Sequence, residues 1–279
     1  MIYQKNQTIW GTDYNLEIRR SKIAGDNCVK IIIVSYMFNK QSTRLTKLAV
    51  QSIKKFTKQN YEIWISDNNS LTQNFQWVVD DKEINYIRNL DAKNYNQVND
   101  SFLNALGLES ALSNMDEDTK SVVLMHSDVV VTHENWLPFI KNKLNKEVKG
   151  VGLLIDNARI NAMHISGIIF SFDIYQKHKA DMRPSLPDLD VGDDITKKIR
   201  ENNFKYKFCR NSHNDEQVVN LINQNSIFKN MACDRTIDDN NNVIFAHLGR
   251  GRAKSDSTYT KRNKTTADEW IINIQEFLK

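Results

Sequence analysis

Residues 29–35 read VKIIIVS, a run dominated by β-branched side chains. A run of this kind is too short for a typical globular helix and indicates a buried strand. Two similar runs follow, YEIWIS at residues 61–66 and SVVLM at residues 121–125. Apolar residues at helical spacing lie between these runs, at 45–56 and 95–115. The alternation predicts an α/β fold with a doubly wound, mostly parallel sheet and right-handed crossovers.

Polar side chains follow each of these predicted strands. Ser35 and Tyr36 end the first strand, Asp67 and Asn68 follow the second, and Asp128 comes just after the third. Open parallel sheets bind ligands at the carboxyl ends of their strands. The sequence therefore predicts a ligand site at this edge of the sheet.

The outer parts of the chain have a different character. Residues 1–28 are polar with scattered aromatic side chains, and we interpret them as an N-terminal extension before the core. Residues 255–264 are polar and basic, and we interpret them as a linker or a mobile lid. Thr266 and Glu269 have the spacing of a capping box, which predicts a last helix that starts near residue 270.

Length and composition exclude several classes of protein. At 279 residues, with 40% hydrophobic and 26% charged residues, the chain resembles one large globular domain or two small ones. A net charge of +4 neither requires nor excludes an anionic partner. The three distant cysteines form neither a disulfide framework nor a CxxC metal motif. With no signal peptide and no long apolar run, the expected location is cytoplasmic.

A histidine and an acid stand two positions apart in VLMHSDVVV, as His126 and Asp128. Alternate residues of a strand face the same side, so both side chains can reach one ligand. Mg²⁺ held against phosphates needs one or two carboxylates, and imidazole is a suitable ligand for ions such as Mn²⁺. The alternative interpretation is a strand-end turn with a capping aspartate.

Acids at two other positions are candidates for catalysis or binding. Asp190, Asp193 and Asp194 crowd the start of a predicted helix, where neighbouring acids can raise a pKa and provide a general base. Simple capping of the helix is the alternative. Asp67 can accept hydrogen bonds from a nucleotide base or a ribose, or it can form an ordinary Asx turn.

A basic, glycine-punctuated segment follows the last predicted strand in FAHLGRGRAK. The strand ends at His247, and the next residues include Arg250, Arg252 and Lys254. Arginine binds phosphate oxygens with two parallel hydrogen bonds, which makes this segment a candidate phosphate contact; a solvated basic loop is the alternative. The remaining histidines are interpreted as surface or core residues: His133, His164, His178 and His213.

Taken in this order, these motifs resemble the GT-A glycosyltransferases, most closely the family 2-like enzymes, over roughly residues 29–254. YEIWISDNNS is similar to the strand whose aspartate contacts the nucleotide base, a role that falls on Asp67. VLMHSDVVV stands where the family has D-x-D, so that Asp128 matches the second acid and His126 replaces the first. His247 is similar to the C-terminal histidine that completes the metal shell in many of these enzymes.

The resemblance implies an inverting, metal-dependent hexosyl or pentosyl transferase that moves a sugar from a nucleotide-diphosphate sugar to an acceptor hydroxyl. Mn²⁺ or Mg²⁺ is the implied cofactor. One of the three acids at the helix start would be the base, and Asp194 aligns best. Residues 29–131 would form the nucleotide-sugar-binding half and residues 132–254 the acceptor half. The implied donor-binding residues are Ser35, Tyr36, Asp67, Asn68, Arg250, Arg252 and Lys254.

Several alternatives stay open at this point. The acceptor is expected to be a surface glycan or a lipid-linked sugar, or, second, a hydroxylated base in DNA. A non-catalytic module that binds nucleotide sugars or glycans is a different class of function, in which His126 would mark the loss of D-x-D chemistry. A nucleotidyltransferase on a similar sheet is a third.

Overall fold

The computed structural model describes residues 2–25, 27–92, 100–249 and 265–279. These residues form a mixed α/β structure around one large sheet. The strands are β1 Ile2–Ile9, β2 Thr12–Arg19, β3 Val29–Ser35, β4 Tyr61–Asp67, β5 Ile84–Asn89, β6 Ser121–Met125, β7 Val129–Val131, β8 Val148–Gly152, β9 Ile155–Asp156, β10 Ala162–Met163, β11 Gly167–Ser171, β12 Lys205–Phe208, β13 Arg210–Asn211, β14 Asp234–Ile237 and β15 Val243–His247. The helices are α1 Lys40–Phe56, α2 Thr72–Asp80, α3 Asp100–Leu112, α4 Trp136–Lys141, α5 Asp173–Gln176, α6 Asp193–Glu201, α7 Val218–Leu221, α8 Ile227–Asn230 and α9 Ala267–Phe277.

The large sheet has the strand order β1-β2-β5-β4-β3-β6-β11-β8-β12 within the described residues. Strands β5, β4, β3 and β6 are parallel to one another, whereas β2 and β11 pair antiparallel with their neighbours. All strands except β2 and β11 therefore run in one direction, which confirms the predicted mostly parallel sheet. The strand order reverses between β3 and β6, and this is the point where open α/β sheets bind ligands.

The central strand β3 is buried on both faces, as its sequence predicts. Ile31 and Ile33 pack in the core beneath α1, α2 and α4. Ile32 and Val34 point to the opposite face and pack with α3, α5 and α6. Successive side chains of a strand point to opposite faces. A strand covered by helices on both faces therefore needs apolar side chains at every position, which explains the continuous run in VKIIIVS.

A smaller antiparallel sheet adjoins the carboxyl end of β6. Its strand order is β13-β14-β15-β7. The sequence suggests that Val129–Val131 continues the third strand beyond a kink, but these residues form β7 in this second sheet. The change of sheet takes place in the turn at residues 126–128, so the candidate metal motif lies at the junction of the two sheets.

Residues 2–19 are part of the large sheet rather than a separate extension. Strands β1 and β2 form a hairpin, and β2 pairs antiparallel with β5. Leu16 and Ile18 have no exposed surface and pack in the core with Trp64. This strand is buried on one face only, so it carries alternating polar and apolar residues and lacks the continuous apolar run that identified β3.

The predicted capping box is present, but the last helix begins at Ala267, three residues before the predicted start near residue 270. Thr266 caps α9, and Glu269 returns the bond to the backbone of Thr266. The ring of Phe277 in α9 stacks on Phe56 at the end of α1, with 5.5 Å between the ring centroids. Among the described residues, none of the helices combines the length and the apolar character that crossing a bilayer requires. The division of the core at residue 131 into a nucleotide-sugar-binding half and an acceptor half stays a prediction.

We expect Leu16→Ala to lower the free energy of unfolding by about 2–5 kcal/mol, because it removes a fully buried side chain and leaves a cavity. Ile23→Ala is the matched control, since the Ile23 side chain is 82% exposed and its loss should cost less than about 0.5 kcal/mol. Denaturant unfolding of both variants measures the difference. Equal stabilities would show that the hairpin is not part of the cooperative core.

Candidate metal centre

Three side chains predicted as metal ligands lie together at the junction of the two sheets. His126 and Asp128 lie in the turn between β6 and β7, and His247 ends β15. One oxygen of Asp128, Oδ1, lies 4.0 Å from Nδ1 of His126 and 3.6 Å from Nε2 of His247. One ligand atom from each residue lies within 4.8 Å of the others. This spacing is suitable for holding one metal ion, with two nitrogens and one oxygen as donors.

Backbone contacts fix the position of Asp128. The N–H of Gly249 donates to Oδ2 of Asp128 at 3.1 Å, and the N–H of Leu248 donates to its carbonyl oxygen at the same distance. Gly249 has a φ of +74°, in the left-handed region that glycine adopts without strain. These two contacts hold the buried carboxylate against the end of β15.

The buried imidazole of His247 lies between two carboxylates. Burial alone would lower its pKa, but the carboxylates of Asp128 and Asp234 outweigh burial and raise the pKa to about 9. The positive charge therefore offsets part of the negative charge of two acids with little exposed surface. A divalent cation can replace that charge, and the two-nitrogen, one-oxygen donor set fits an ion such as Mn²⁺.

Two histidines that the sequence gave no reason to group belong to this centre. The ring centroid of His164 lies 5.9 Å from that of His126 and 5.8 Å from that of His247. The ring of His213 lies 6.3 Å from His164, on the outer side of the cluster. Both residues come from loops distant in sequence from the HSD motif, and no spacing in the chain could have identified them.

His164 is held as a neutral hydrogen-bond donor. Its Nδ1 accepts the backbone N–H of Ser166 at 3.2 Å, so the proton of the neutral ring is on Nε2. Burial, together with the charge of His247, lowers the pKa of His164 to about 4. Because Nε2 carries the proton, the neutral ring of His164 has an N–H donor at that nitrogen and no lone pair there.

Asn104 of α3 contacts the far side of His126. Its amide nitrogen lies 3.3 Å from Nε2 of His126. Rotation of the amide by 180° would bring its oxygen to the same position, where it can accept a proton on Nε2. In that arrangement Nδ1 of His126 keeps its lone pair on the side of Asp128.

Four of the residues predicted to bind the donor nucleotide lie at the ends of β3 and β4: Ser35, Tyr36, Asp67 and Asn68. Asp67 has no exposed surface. It accepts hydrogen bonds from the hydroxyls of Ser35 and Ser70 and from the backbone N–H of Ser70. The guanidinium of Arg88 lies 3.4 Å from Oδ2. Desolvation raises the pKa of Asp67, although these contacts oppose the shift. Both oxygens thus stabilise the turn after β4, and contact with a base stays a prediction.

The neighbours of Asp67 differ in exposure. The Asn68 side chain is buried and its amide donates to the carbonyl of Leu103 at 2.8 Å. Tyr36 is partly exposed and stacks on Phe38, with 5.6 Å between the ring centroids. The Phe38 side chain is 45% exposed. The aromatic pair is therefore the more accessible part of this predicted pocket.

The three acids predicted as candidate bases have different partners at the start of α6. Asp193 binds Nε of Arg159 at 2.9 Å and accepts the N–H of Asp190 at 2.8 Å. Oδ2 of Asp190 lies 3.5 Å from the same guanidinium. Asp194 instead accepts the N–H of Asp181 at 2.8 Å. Burial raises the pKa of Asp193, which the N–H of Asp190 and Arg159 only partly offset.

One short segment connects these acids to the imidazole cluster. The N–H of Met163 donates to the hydroxyl of Thr196 in α6 at 3.0 Å. Gly192, with a φ of +76°, packs against Ile165, and a Cβ there would lie 2.5 Å from Cδ1 of that residue. His164 lies between the two contacts, so α6 packs directly against the segment that carries it.

Arg250, Arg252 and Lys254, the predicted phosphate contacts, lie outside the described residues.

No family model and no curated protein matches this chain. Solved structures do match it. A mannosyltransferase from Pyrobaculum calidifontis, in complex with GDP-Man and Mn²⁺, is 13% identical, covers 64% of this chain and 54% of its own, and has a TM-score of 0.48. S. aureus TarS 1-349 is 14% identical over 64% of this chain and 57% of its own, with a TM-score of 0.46.

A third similar structure is named as a synthase and not as a glycosyltransferase. The 4-diphosphocytidyl-2C-methyl-D-erythritol synthase from Anaerococcus prevotii is 13% identical over 65% of this chain and 87% of its own, with a TM-score of 0.41. The chain spans little more than half the length of the first two structures.

We expect His164 to destabilise the protein in acid. An unfolded histidine has a pKa near 6.5 and the folded one near 4, so between these pH values only the unfolded chain binds the proton. Stability should therefore fall by about 3 kcal/mol as pH drops through this window. In denaturant unfolding at pH 7 and pH 4, His164→Gln should lose much less stability than the wild type. His178→Gln removes a partly buried histidine outside the cluster and should behave as the wild type. Parallel pH profiles for all three proteins would contradict the assignment.

Proposed function

We propose that this chain is a metal-dependent glycosyltransferase, which moves a sugar from a nucleotide-diphosphate sugar to an acceptor hydroxyl. The observation that carries the proposal is the trio His126, Asp128 and His247, with its ligand atoms within 4.8 Å of one another. The trio lies at the carboxyl end of β6, beside the point where the strand order of the sheet reverses. A cation site at this edge suits a ligand that carries phosphates.

His126, Asp128 and His247 are the residues that would hold the ion. A bound divalent ion would neutralise the negative charge that develops on the leaving diphosphate. Mg²⁺ prefers oxygen ligands, whereas imidazole suits Mn²⁺, so the donor set favours Mn²⁺ of the two expected ions. The neutral His164 adds an N–H donor beside the centre, which can bind an oxygen of the donor substrate.

Other residues have proposed roles in binding the donor. Tyr36 is partly exposed just beyond β3 and would contact the nucleoside. Ser35, Asp67 and Asn68 would shape the pocket, with Asp67 as the candidate for contact with the base. The basic residues beyond β15 would neutralise the nucleoside diphosphate as it leaves: Arg250, Arg252 and Lys254.

One acid at the start of α6 would deprotonate the acceptor hydroxyl, for in-line attack on the anomeric carbon with inversion. Asp193 has a raised pKa, and a general base works best when its pKa approaches the working pH. Asp194 and Asp190 are the other candidates. A surface glycan or a lipid-linked sugar is the first proposed acceptor, and a hydroxylated DNA base is the second. DNA binding would weaken steeply with salt.

Thermal unfolding with a panel of nucleotide sugars, with and without Mn²⁺, tests the donor and metal sites. At a ligand concentration 100 times Kd, a binding nucleotide sugar should stabilise the wild type by about 2.7 kcal/mol, in a manner that requires Mn²⁺. Asp128→Ala should abolish the Mn²⁺-dependent part. The exposed Asp239→Ala, also a loss of one carboxylate, is the control and should respond as the wild type. A panel that shifts nothing, or an Asp128→Ala protein that shifts fully, would count against the proposal.

Transfer rates of Asp190→Asn, Asp193→Asn and Asp194→Asn test the base. We expect Asp193→Asn to lose about 10²–10⁴-fold in kcat, since a positioned general base contributes that much. Its Mn²⁺-dependent thermal shift with the donor should persist, because the acid acts on the acceptor. If all three variants keep the full transfer rate, the base is not at the start of α6.

A further inference from the structure

Asp234, at the start of β14, lies between two imidazole rings of the centre. Its Oδ2 lies 3.6 Å from Nδ1 of His247, and its Oδ1 lies 3.5 Å from Nδ1 of His213. The opposite nitrogen of His247, Nε2, faces Asp128 at 3.6 Å. The ring of His247 is thus bounded by a carboxylate at each nitrogen, and only Asp128 belongs to the candidate ligand trio.

The backbone holds Asp234 in this position. Asp234 pairs with His247 in the antiparallel register of β14 and β15. The next residue, Arg235, is buried, and its guanidinium donates to the carbonyls of Phe228 at 2.6 Å and Cys233 at 2.7 Å. These bonds hold the backbone on both sides of Asp234, so the carboxylate extends from a fixed position opposite His247.

A histidine that binds a metal through one nitrogen keeps its proton on the other. A carboxylate at the protonated nitrogen fixes the tautomer and the ring orientation, and it makes the ligating nitrogen more electron-rich. His247 has this arrangement, because Nε2 faces Asp128 while Nδ1 faces Asp234.

We propose that Asp234 is a positioning residue for the metal centre: it keeps the proton of His247 on Nδ1 and so presents the Nε2 lone pair to the cation. The inference rests on the proposed cation site and adds a residue that does not itself touch the ion. His213 lies at the other oxygen of Asp234 and restrains the carboxylate from the outer side.

Mn²⁺ binding to the protein without any nucleotide sugar tests this role. Free Mn²⁺ is counted by electron paramagnetic resonance, a readout that does not depend on transfer activity. Asp234→Asn should weaken Mn²⁺ binding about 10- to 100-fold, the usual cost of losing such a partner. Asp234→Glu, which keeps the carboxylate, should recover part of the affinity, and the exposed Asp239→Asn should bind as the wild type.

A second measurement separates positioning from simple loss of structure. In ¹⁵N-labelled protein with a diamagnetic ion, the ring-nitrogen shifts of His247 should report a proton on Nδ1 in the wild type and a mixture of tautomers in Asp234→Asn. Unaltered affinity and an unaltered tautomer in Asp234→Asn would overturn the role of Asp234. If the wild type binds Mn²⁺ but no nucleotide sugar, the transferase proposal fails and the role of Asp234 stands; if it binds no Mn²⁺, both fail.

Discussion

The antiparallel pairing of β15 with β7 is the constraint on which the centre depends. It sets His247 opposite Val129 and so brings the end of β15 to the turn that carries His126 and Asp128. The same strand pairs on its other side with β14, which carries Asp234 to His247. Backbone hydrogen bonds of a small sheet thus assemble a buried, charged cluster whose desolvation would be costly if its members were not paired with each other.

Burial lowers the pKa of two histidines in this cluster, but their neighbours differ. At His247 two carboxylates outweigh burial and raise the pKa to about 9, whereas at His164 burial, together with the charge of His247, lowers the pKa to about 4. The centre therefore combines one imidazole that carries charge with one that stays neutral. A cation and a proton compete for the ring of His247. The ring of His164 can donate a hydrogen bond without carrying a positive charge.

The type and spacing of the acids at the start of α6 suggest a general base. The contacts of each carboxylate decide which of the three acids suits that role. The sequence groups Asp190, Asp193 and Asp194 but cannot rank them, because ranking depends on what each carboxylate contacts. Arg159 binds Asp193 and approaches Asp190, and it comes from a loop that no motif marks. Asp194 faces a backbone N–H instead. The same holds for Asp67: the hydroxyl of Ser70 donates to Oδ1, while the backbone N–H of Ser70 and the guanidinium of Arg88 lie at Oδ2.

The sequence by itself determined the alternating α/β pattern, the buried strand at residues 29–35 and the edge at which Asp67 and Asp128 lie. Those features depend on local periodicity and on strand ends, which a chain shows directly. It did not reveal the β1–β2 hairpin as part of the sheet, because an edge strand buried on one face has a weak pattern. Only the tertiary structure brought His164, His213 and Asp234 to the metal centre: contacts between distant loops depend on strand pairing and register, and no short-range spacing records them.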